Sequence, residues 1–247
     1  MVRRHPVLHP AHGVAGPGEG RGAHCPPRHT IGPMNDPFAA MRIEYGDVPL
    51  ARADMPPEPL PFFRSWLAAA ETAKVSEPNG MSLATVDGSG QPHCRIVLLK
   101  FVDVRGFVFF TNRTSDKGAQ LAQNARAAAT FWWPLPRNRQ VRIAAVVEPV
   151  DDATSDRYFA ERPRRAQLCS AASPQSRPVC DRAELEALVA ALERRLAGAP
   201  VPRPPHWGGY RLVPHAVEFW QGRDGRLHDR FRYEKADAEW RLLRLAP

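Results

Sequence analysis

Between residues 95 and 111 the chain reads RIVLLKFVDVRGFVFFT, two β-branched and aromatic runs separated by a polar turn at 103–106. That pattern predicts two strands folded back on each other. Further short runs with strand character cover 81–86, 91–101, 107–111, 127–133 and 140–150. The connections between them are short and polar, which implies antiparallel neighbours closing on themselves as a barrel. If 91–101 is one continuous strand, Arg95 and Lys100 lie on opposite faces of it, because side chains alternate with period two.

Helical spacing takes over elsewhere. Phe63, Trp66, Leu67, Ala70 and Ala73 recur on one face of a helix expected over 59–74. A short helix is expected over 118–124, after the polar turn Asn112 to Lys117, and another over 151–161, stopped before Pro163. Residues 181–197 form the clearest case, with Asp181 and Glu184 in capping-box positions and Leu185, Leu188, Val189, Leu192 and Leu196 in one stripe suited to core or dimer packing. A proline-rich linker, 200–205, leads to three C-terminal strands with turns at 222–225 and 235–238. Read as a strand, Arg226, His228 and Arg230 share one face and Leu227 and Asp229 the other. Arg42 and Tyr45, three apart, share a face if their segment is helical. The expected fold is mainly β with flanking helices, an α+β domain over 34–247. Residues 1–33 are rich in Pro, Gly and His without a hydrophobic period, and are expected to be a disordered, dispensable extension, Met34 reading as a natural beginning.

Composition narrows the function. The net charge is +8, but the first 33 residues hold four arginines against one glutamate, leaving +5 for the rest. Those arginines are scattered rather than interleaved with aromatics along one helix, so a nucleic-acid partner is not expected, whereas phosphorylated small molecules fit a modest positive excess. No apolar run of eighteen residues and no signal-peptide core occur, so no membrane span is expected and the location is expected to be cytoplasmic. Cys25, Cys94, Cys169 and Cys180 have no paired spacing and no metal-type cluster with histidine, so free thiols and no metal site are expected.

The candidate chemistry is anion binding. Thr111, Ser115 and Lys117 surround a helix start whose backbone N–H groups suit a phosphate. Beside Trp220 and a glycine-rich turn, Arg226, His228 and Arg230 suit a ligand wall.

The C-terminal EFWQGRDGRLHDRFRYEKADAEWRLLRLAP (218–247), together with RIVLLK (95–100), NRQV (138–141), YFAERPR (158–164) and PQSRPV (174–179), resembles the pyridoxine (pyridoxamine) 5′-phosphate oxidase family over about residues 42–247. The resemblance implies an FMN-binding split β-barrel. It implies that Arg95, Ile96, Val97, Leu98, Leu99, Lys100, Phe110, Thr111, Lys117, Gln140, Gln175, Ser176, Trp220 and Arg230 hold FMN. Lys100, Tyr158 and Arg162 would take the substrate's phosphate. Arg226, Leu227 and His228 would meet the pyridine ring, with Arg226 and His228 as the catalytic pair, and Arg42 and Tyr45 would close over it. A homodimer with FMN between subunits is implied. So is oxidation of pyridoxamine or pyridoxine 5′-phosphate to pyridoxal 5′-phosphate, with O₂ reduced to H₂O₂. Asp116 stands where the family has an arginine, Phe110 for a tyrosine, Ala166 for a serine, and Cys169-Ser170-Ala171 for Gly-Ala-Trp; one residue is inserted within 134–139. The alternatives are a flavin oxidase of another reduced heteroaromatic, as in the phenazine pathway, and a non-catalytic flavin-binding barrel.

Overall fold

A computed structural model describes residues 43–247, with Pro37 and Met41 before them. In chain order the elements are α1 (Pro59–Thr72), β1 (Gly80–Val86), β2 (Pro92–Leu98), β3 (Phe101–Asp103), β4 (Gly106–Asn112), α2 (Asp116–Gln123), β5 (Arg126–Trp133) and β6 (Arg139–Pro149). They continue with α3 (Asp152–Glu161), α4 (Arg164–Ala172), α5 (Arg182–Leu196), β7 (Trp207–Gln221), β8 (Asp229–Ala236) and β9 (Glu239–Leu245). Short 3₁₀ turns cover Arg52–Asp54 and Asp224–Arg226. Arg42 and residues 1–33 lie outside the described residues.

Every pairing is antiparallel, and the sheet runs β2-β1-β5-β6-β7-β4-β3, with β8 on β7 and β9 on β8. The fifteen-residue β7 joins its parts. One edge pairs with β6 along its length, while the other pairs first with β4 through Trp207–Leu212 and then with β8 through Ala216–Gln221. Where the partner changes, Ala144 faces Ala216 and Ala145 faces Pro214, so His215 is the extra residue of a bulge. Pro214, which has no N–H to give, falls in this gap between partners, where a strand tolerates it.

The alternating pattern of β1, β5 and β6 puts Met81, Leu83, Phe131, Trp133, Val141 and Ile143 on the inner face, each almost fully buried. Helix α1 begins with Pro59 in its first turn and lays Leu60, Phe63, Trp66 and Ala70 over that face. Phe63 meets Phe107 at 4.8 Å and Phe131 at 4.9 Å, and Trp66 meets Phe219 edge-on at 5.1 Å. Fully burying one such side chain contributes about 1.5–3 kcal/mol. A smaller cluster of Phe159, Leu168, Val201 and Trp207 fastens α3 and α4 to the start of β7, with Val189, Leu192 and Leu196 of α5 against it.

Three expectations need correction. Residues 91–101 are not one strand: β2 ends at Leu98 on the edge of β1, and β3 begins at Phe101 on β4. Leu99 turns into the core, its N–H donating to Asn79 O (2.8 Å) and its carbonyl accepting from Asn79 Nδ2 (3.0 Å), while Lys100 N–H already reaches Val108 O (2.8 Å). Arg95 and Lys100 therefore belong to different ladders. Arg226, His228 and Arg230 do not share a strand face, because β8 starts only at Asp229 and Arg226 adopts φ 64° in the turn before it. Tyr45 lies in a segment without regular secondary structure rather than in a helix. Beyond the expected helices, Pro163 ends α3 and at the same time caps α4, so one proline serves as stop and start.

Candidate active site

Strand β2 and helix α2 bring two cations together. Arg95 Nη1 donates to Thr85 Oγ1 (2.5 Å) and Leu83 O (3.2 Å), and its Nη2 to Gln120 Oε1 (3.0 Å). Lys117 Nζ donates to Thr111 Oγ1 (3.1 Å), Ser115 Oγ (3.2 Å) and Gln175 Oε1 (2.9 Å). Burial, then the charge of Arg95, hold Lys117 below its ordinary pKa, with Asp116 pulling the other way. Burial likewise lowers Arg95, opposed by Cys94 and Asp116. Asp116, the first residue of α2, is exposed.

Next to this pair is a cavity of about 440 Å³, lined by Phe110, Thr111, Arg162, Ser170, Gln175 and Trp207 among others. Gln175 thus borders the cavity while bonding Lys117. Phe110 stacks on Trp207 at 5.3 Å and packs on Tyr158 at 4.3 Å. Gly209 is required opposite Phe110, since a Cβ there would come within 2.8 Å of its ring. The Arg162 guanidinium lies 5.0 Å from the Trp207 ring and 5.9 Å from Phe159, and its Nη1 donates to Ser170 Oγ at 2.8 Å. Burial pushes Arg162 down and the Tyr158 hydroxyl up. Lys100 is exposed, next to Phe101, whose ring meets Tyr158 at 5.4 Å.

Arg203, Arg211, Arg223 and Arg230 each pair with a carboxylate. Among the described residues, no carboxylate lies within ion-pair distance of Arg95, Lys117 or Arg162. Three partly buried cations without counter-ions make an environment that favours a ligand carrying negative charge.

A third cluster surrounds Trp220. His228 packs on it at 4.7 Å, and Tyr45 meets both, at 5.9 Å from Trp220 and 5.6 Å from His228. Arg223 N–H donates to His228 Nδ1 (3.1 Å), which leaves the ring proton of the neutral imidazole on Nε2. Burial and then Arg226 lower the His228 pKa. The segment carrying Tyr45 is tied down by Gly46 N–H to Asp224 Oδ1 (2.7 Å), Leu50 N–H to Asp229 Oδ2 (2.9 Å) and Gln221 Nε2 to Val48 O (2.8 Å). Arg223 bridges Asp47 and Asp229 over the same seam. Gly222 leaves room for the tyrosine, since a Cβ would come within 2.7 Å of it.

The other anticipated residues are dispersed around these clusters. Ile96 is 66 % exposed, Val97 and Leu98 are half-buried on β2, and Leu99 is core. Gln140 faces Trp220 across the β6–β7 ladder, Ser176 has φ 69° in the turn after Pro174, and Leu227 is 75 % exposed. Arg230 is bound by Glu218 Oε1 (3.0 and 2.8 Å) and Ala246 O (2.8 Å). Sequence reading missed Thr85, Gln120, Ser170, Trp207 and Arg223. Gln120 shares its helix face with Asp116, Lys117 and Gln123, a polar set that gives no sign of its burial.

Phe110 pairs with Gly209 near one end of β7, and Trp220 lies near the other. Eleven residues separate Gly209 from Trp220, about 35 Å of strand at roughly 3.3 Å per residue. The Arg162 cavity and the His228 cluster of one chain thus lie toward opposite ends of β7, on either side of its bulge.

Residues 67–195 match the family described as pyridoxamine 5′-phosphate oxidase, and residues 207–247 match the pyridoxine 5′-phosphate oxidase C-terminal dimerisation region. A pyridoxine/pyridoxamine 5′-phosphate oxidase of Pseudomonas paraeruginosa is 52% identical over 216 residues, covering 87% of this chain and 100% of that protein. One of Ralstonia pickettii is 53% identical over 211 residues, 85% of this chain and 99% of that one. Among solved structures, PhzG from Burkholderia lata 383, in complex with tetrahydrophenazine-1-carboxylic acid, aligns with a TM-score of 0.77 at 35% identity, over 82% of this chain and 100% of that one. A pyridoxamine 5′-phosphate oxidase-related, FMN binding protein from Nostoc punctiforme shares the fold at a TM-score of 0.60 and 20% identity, over 76% and 96% of the two chains.

Proposed function

The chain belongs to the pyridoxamine 5′-phosphate oxidase family of FMN-binding split barrels, and from that premise we infer that it is a homodimeric oxidase making pyridoxal 5′-phosphate from pyridoxamine or pyridoxine 5′-phosphate. The observation that carries this reading is a cavity lined by Arg162 and joined through Thr111 and Gln175 to Lys117, with Arg95 close by and no carboxylate paired with any of the three among the described residues. Two phosphates, one of the cofactor and one of the substrate, answer that demand.

The donor set fits FMN. Arg95, Lys117 and Thr111, with Gln175 beside them, would hold its phosphate, close to the free N–H groups of the first turn of α2. Held there, FMN would supply the acceptor for a hydride from the substrate carbon and the route for those electrons to O₂. The protein's part is to bind, orient and exclude water. Arg162 and Tyr158, with Lys100 at the rim, take the substrate phosphate. In this reading His228 and Arg226 come to the same ring from the other subunit, supported by their place toward the opposite end of β7 from the Arg162 cavity. Neutral His228 presents Nε2–H as a donor to the ring, and the positive charge of Arg226 favours an ionised ring oxygen. Tyr45, strapped over His228 and Trp220, closes that side. We place the enzyme in the cytoplasm, where Cys94, Cys169 and Cys180, free in this fold, stay reduced. Among the described residues no helix is long and apolar enough to cross a membrane.

The test is O₂ uptake by the purified yellow protein with pyridoxamine 5′-phosphate. Arg162→Ala should raise KM roughly ten- to a hundredfold, the loss of a hydrogen bond to a charged group, with a smaller effect on kcat because the phosphate is remote from the reacting carbon. Turnover of a reduced phenazine carboxylate and none of the phosphorylated pyridoxines would favour a PhzG-like oxidase instead. FMN binding without oxygen uptake would indicate flavin storage.

A further inference from the structure

Helix α4 presents Ala166, Cys169 and Ser170, and the residue after it Ser173, to the cavity that holds Arg162. Ala166 and Ser170 are four residues apart, so they sit on the same face, about one turn or 6 Å along the axis. The first offers only a methyl group. The second carries the only hydroxyl that Arg162 touches among the described residues, with Nη1 at 2.8 Å from Oγ.

We propose that Ser170 is a ligand of the substrate's phosphate, acting beside Arg162 as a phosphate-specificity residue. The proposal rests on the phosphorylated-pyridoxine reading above. Its chemistry follows from the direction of the hydrogen bond. Arginine can only donate, so Ser170 Oγ accepts from it and keeps its own O–H free to donate onward. The next acceptor is not supplied by the protein: Ser170 makes no other hydrogen bond among the described residues. The guanidinium is fixed by the Trp207 and Phe159 rings and, among the described residues, has no carboxylate to neutralise it. Cation, hydroxyl and the nearby Tyr158 phenol are all donors. A phosphate monoester, whose outer oxygens are acceptors, matches such a set; a neutral heteroaromatic would leave it unsatisfied.

The experiment compares wild type, Ser170→Ala and the double variant Ser170→Ala/Ala166→Ser. Binding of pyridoxal 5′-phosphate and of unphosphorylated pyridoxal to the FMN-loaded protein is followed by absorbance, alongside KM for pyridoxamine 5′-phosphate. Ser170→Ala should weaken pyridoxal 5′-phosphate binding and raise KM by about tenfold, leaving pyridoxal binding as it was. A serine at 166, returned to the same face one turn back, should recover most of that loss. A purely structural role would lower the melting temperature and would not be rescued from 166. Wild-type affinity for pyridoxal 5′-phosphate in Ser170→Ala would overturn the proposal while leaving the enzyme's assignment intact. Absence of pyridoxal 5′-phosphate binding or turnover in wild type would overturn the assignment itself, and this proposal with it.

Discussion

His228 shows how single neighbours set the chemistry of a side chain. The Arg223 N–H occupies Nδ1, and burial together with Arg226 holds the ring's titration below its ordinary 6.5. Replacing Arg226 by alanine removes the second cause, so an NMR titration of the ring should move upward toward 6.5; an unmoved midpoint would mean that Arg226 exerts no field there. The sign for stability follows. The unfolded imidazole takes its proton near 6.5 while the folded one resists, so stability is complete above that pH. It is lost as the pH falls through the lower folded value, and less is lost in the variant. At this scale the meeting of Thr111, Lys117 and Gln175, which hydrogen bonds join, was foreshadowed by residue types tied to a motif. The sequence was not readable for Ser170 or Arg223, whose importance depends on which turn of a helix or which backbone N–H faces a particular cation or ring. Nor did alternation reveal that Arg226 leaves the strand pattern through a left-handed backbone.

Helix α2 puts two demands on its first residue. An acid at position 116 favours the helix by a few tenths of a kcal/mol through the end dipole. The same carboxylate supports the charged forms of both Arg95 and Lys117, which means its field reaches the place where a phosphate would sit. Asp116→Arg should therefore lower the FMN dissociation constant of the apoprotein severalfold, and more at low salt than at high. Equal or weaker binding in a fluorescence titration would mean that helix capping outweighs repulsion. Elements with a long, regular period were legible: α1 from Phe63, Trp66 and Ala70, α5 from its capping pair, β5 and β6 from their alternation. The break at Leu99 was not, because an apolar run looks continuous whether its backbone bonds a neighbouring strand or, as here, the side chain and carbonyl of Asn79. Helix α4 was hidden behind Pro163, read only as a terminator.

For the whole molecule, β7 carries the Arg162 cavity toward one end and the histidine cluster toward the other, so the proposed dimer would divide one active site between two chains. Mixing Arg162→Ala and His228→Ala subunits, assayed at substrate far below the raised KM so that each parent dimer is nearly silent, should then restore activity. Random reassortment makes half of the dimers mixed, each with one of two sites free of both changes, so about a quarter of the wild-type rate is expected. No recovery after reassortment, checked by a size tag on one variant, would put both residues in one subunit's site. The same strand also governs how the chain is made. Because β4 and β6 both wait for β7, synthesis must pass about residue 221 before the barrel can close. Until then two strand edges stand open, rich in Phe107, Phe109, Val141 and Ile143. Closure is therefore a late, long-range event after translation, and the nascent enzyme depends on chaperones or on speed to keep those edges from finding one another in neighbouring chains.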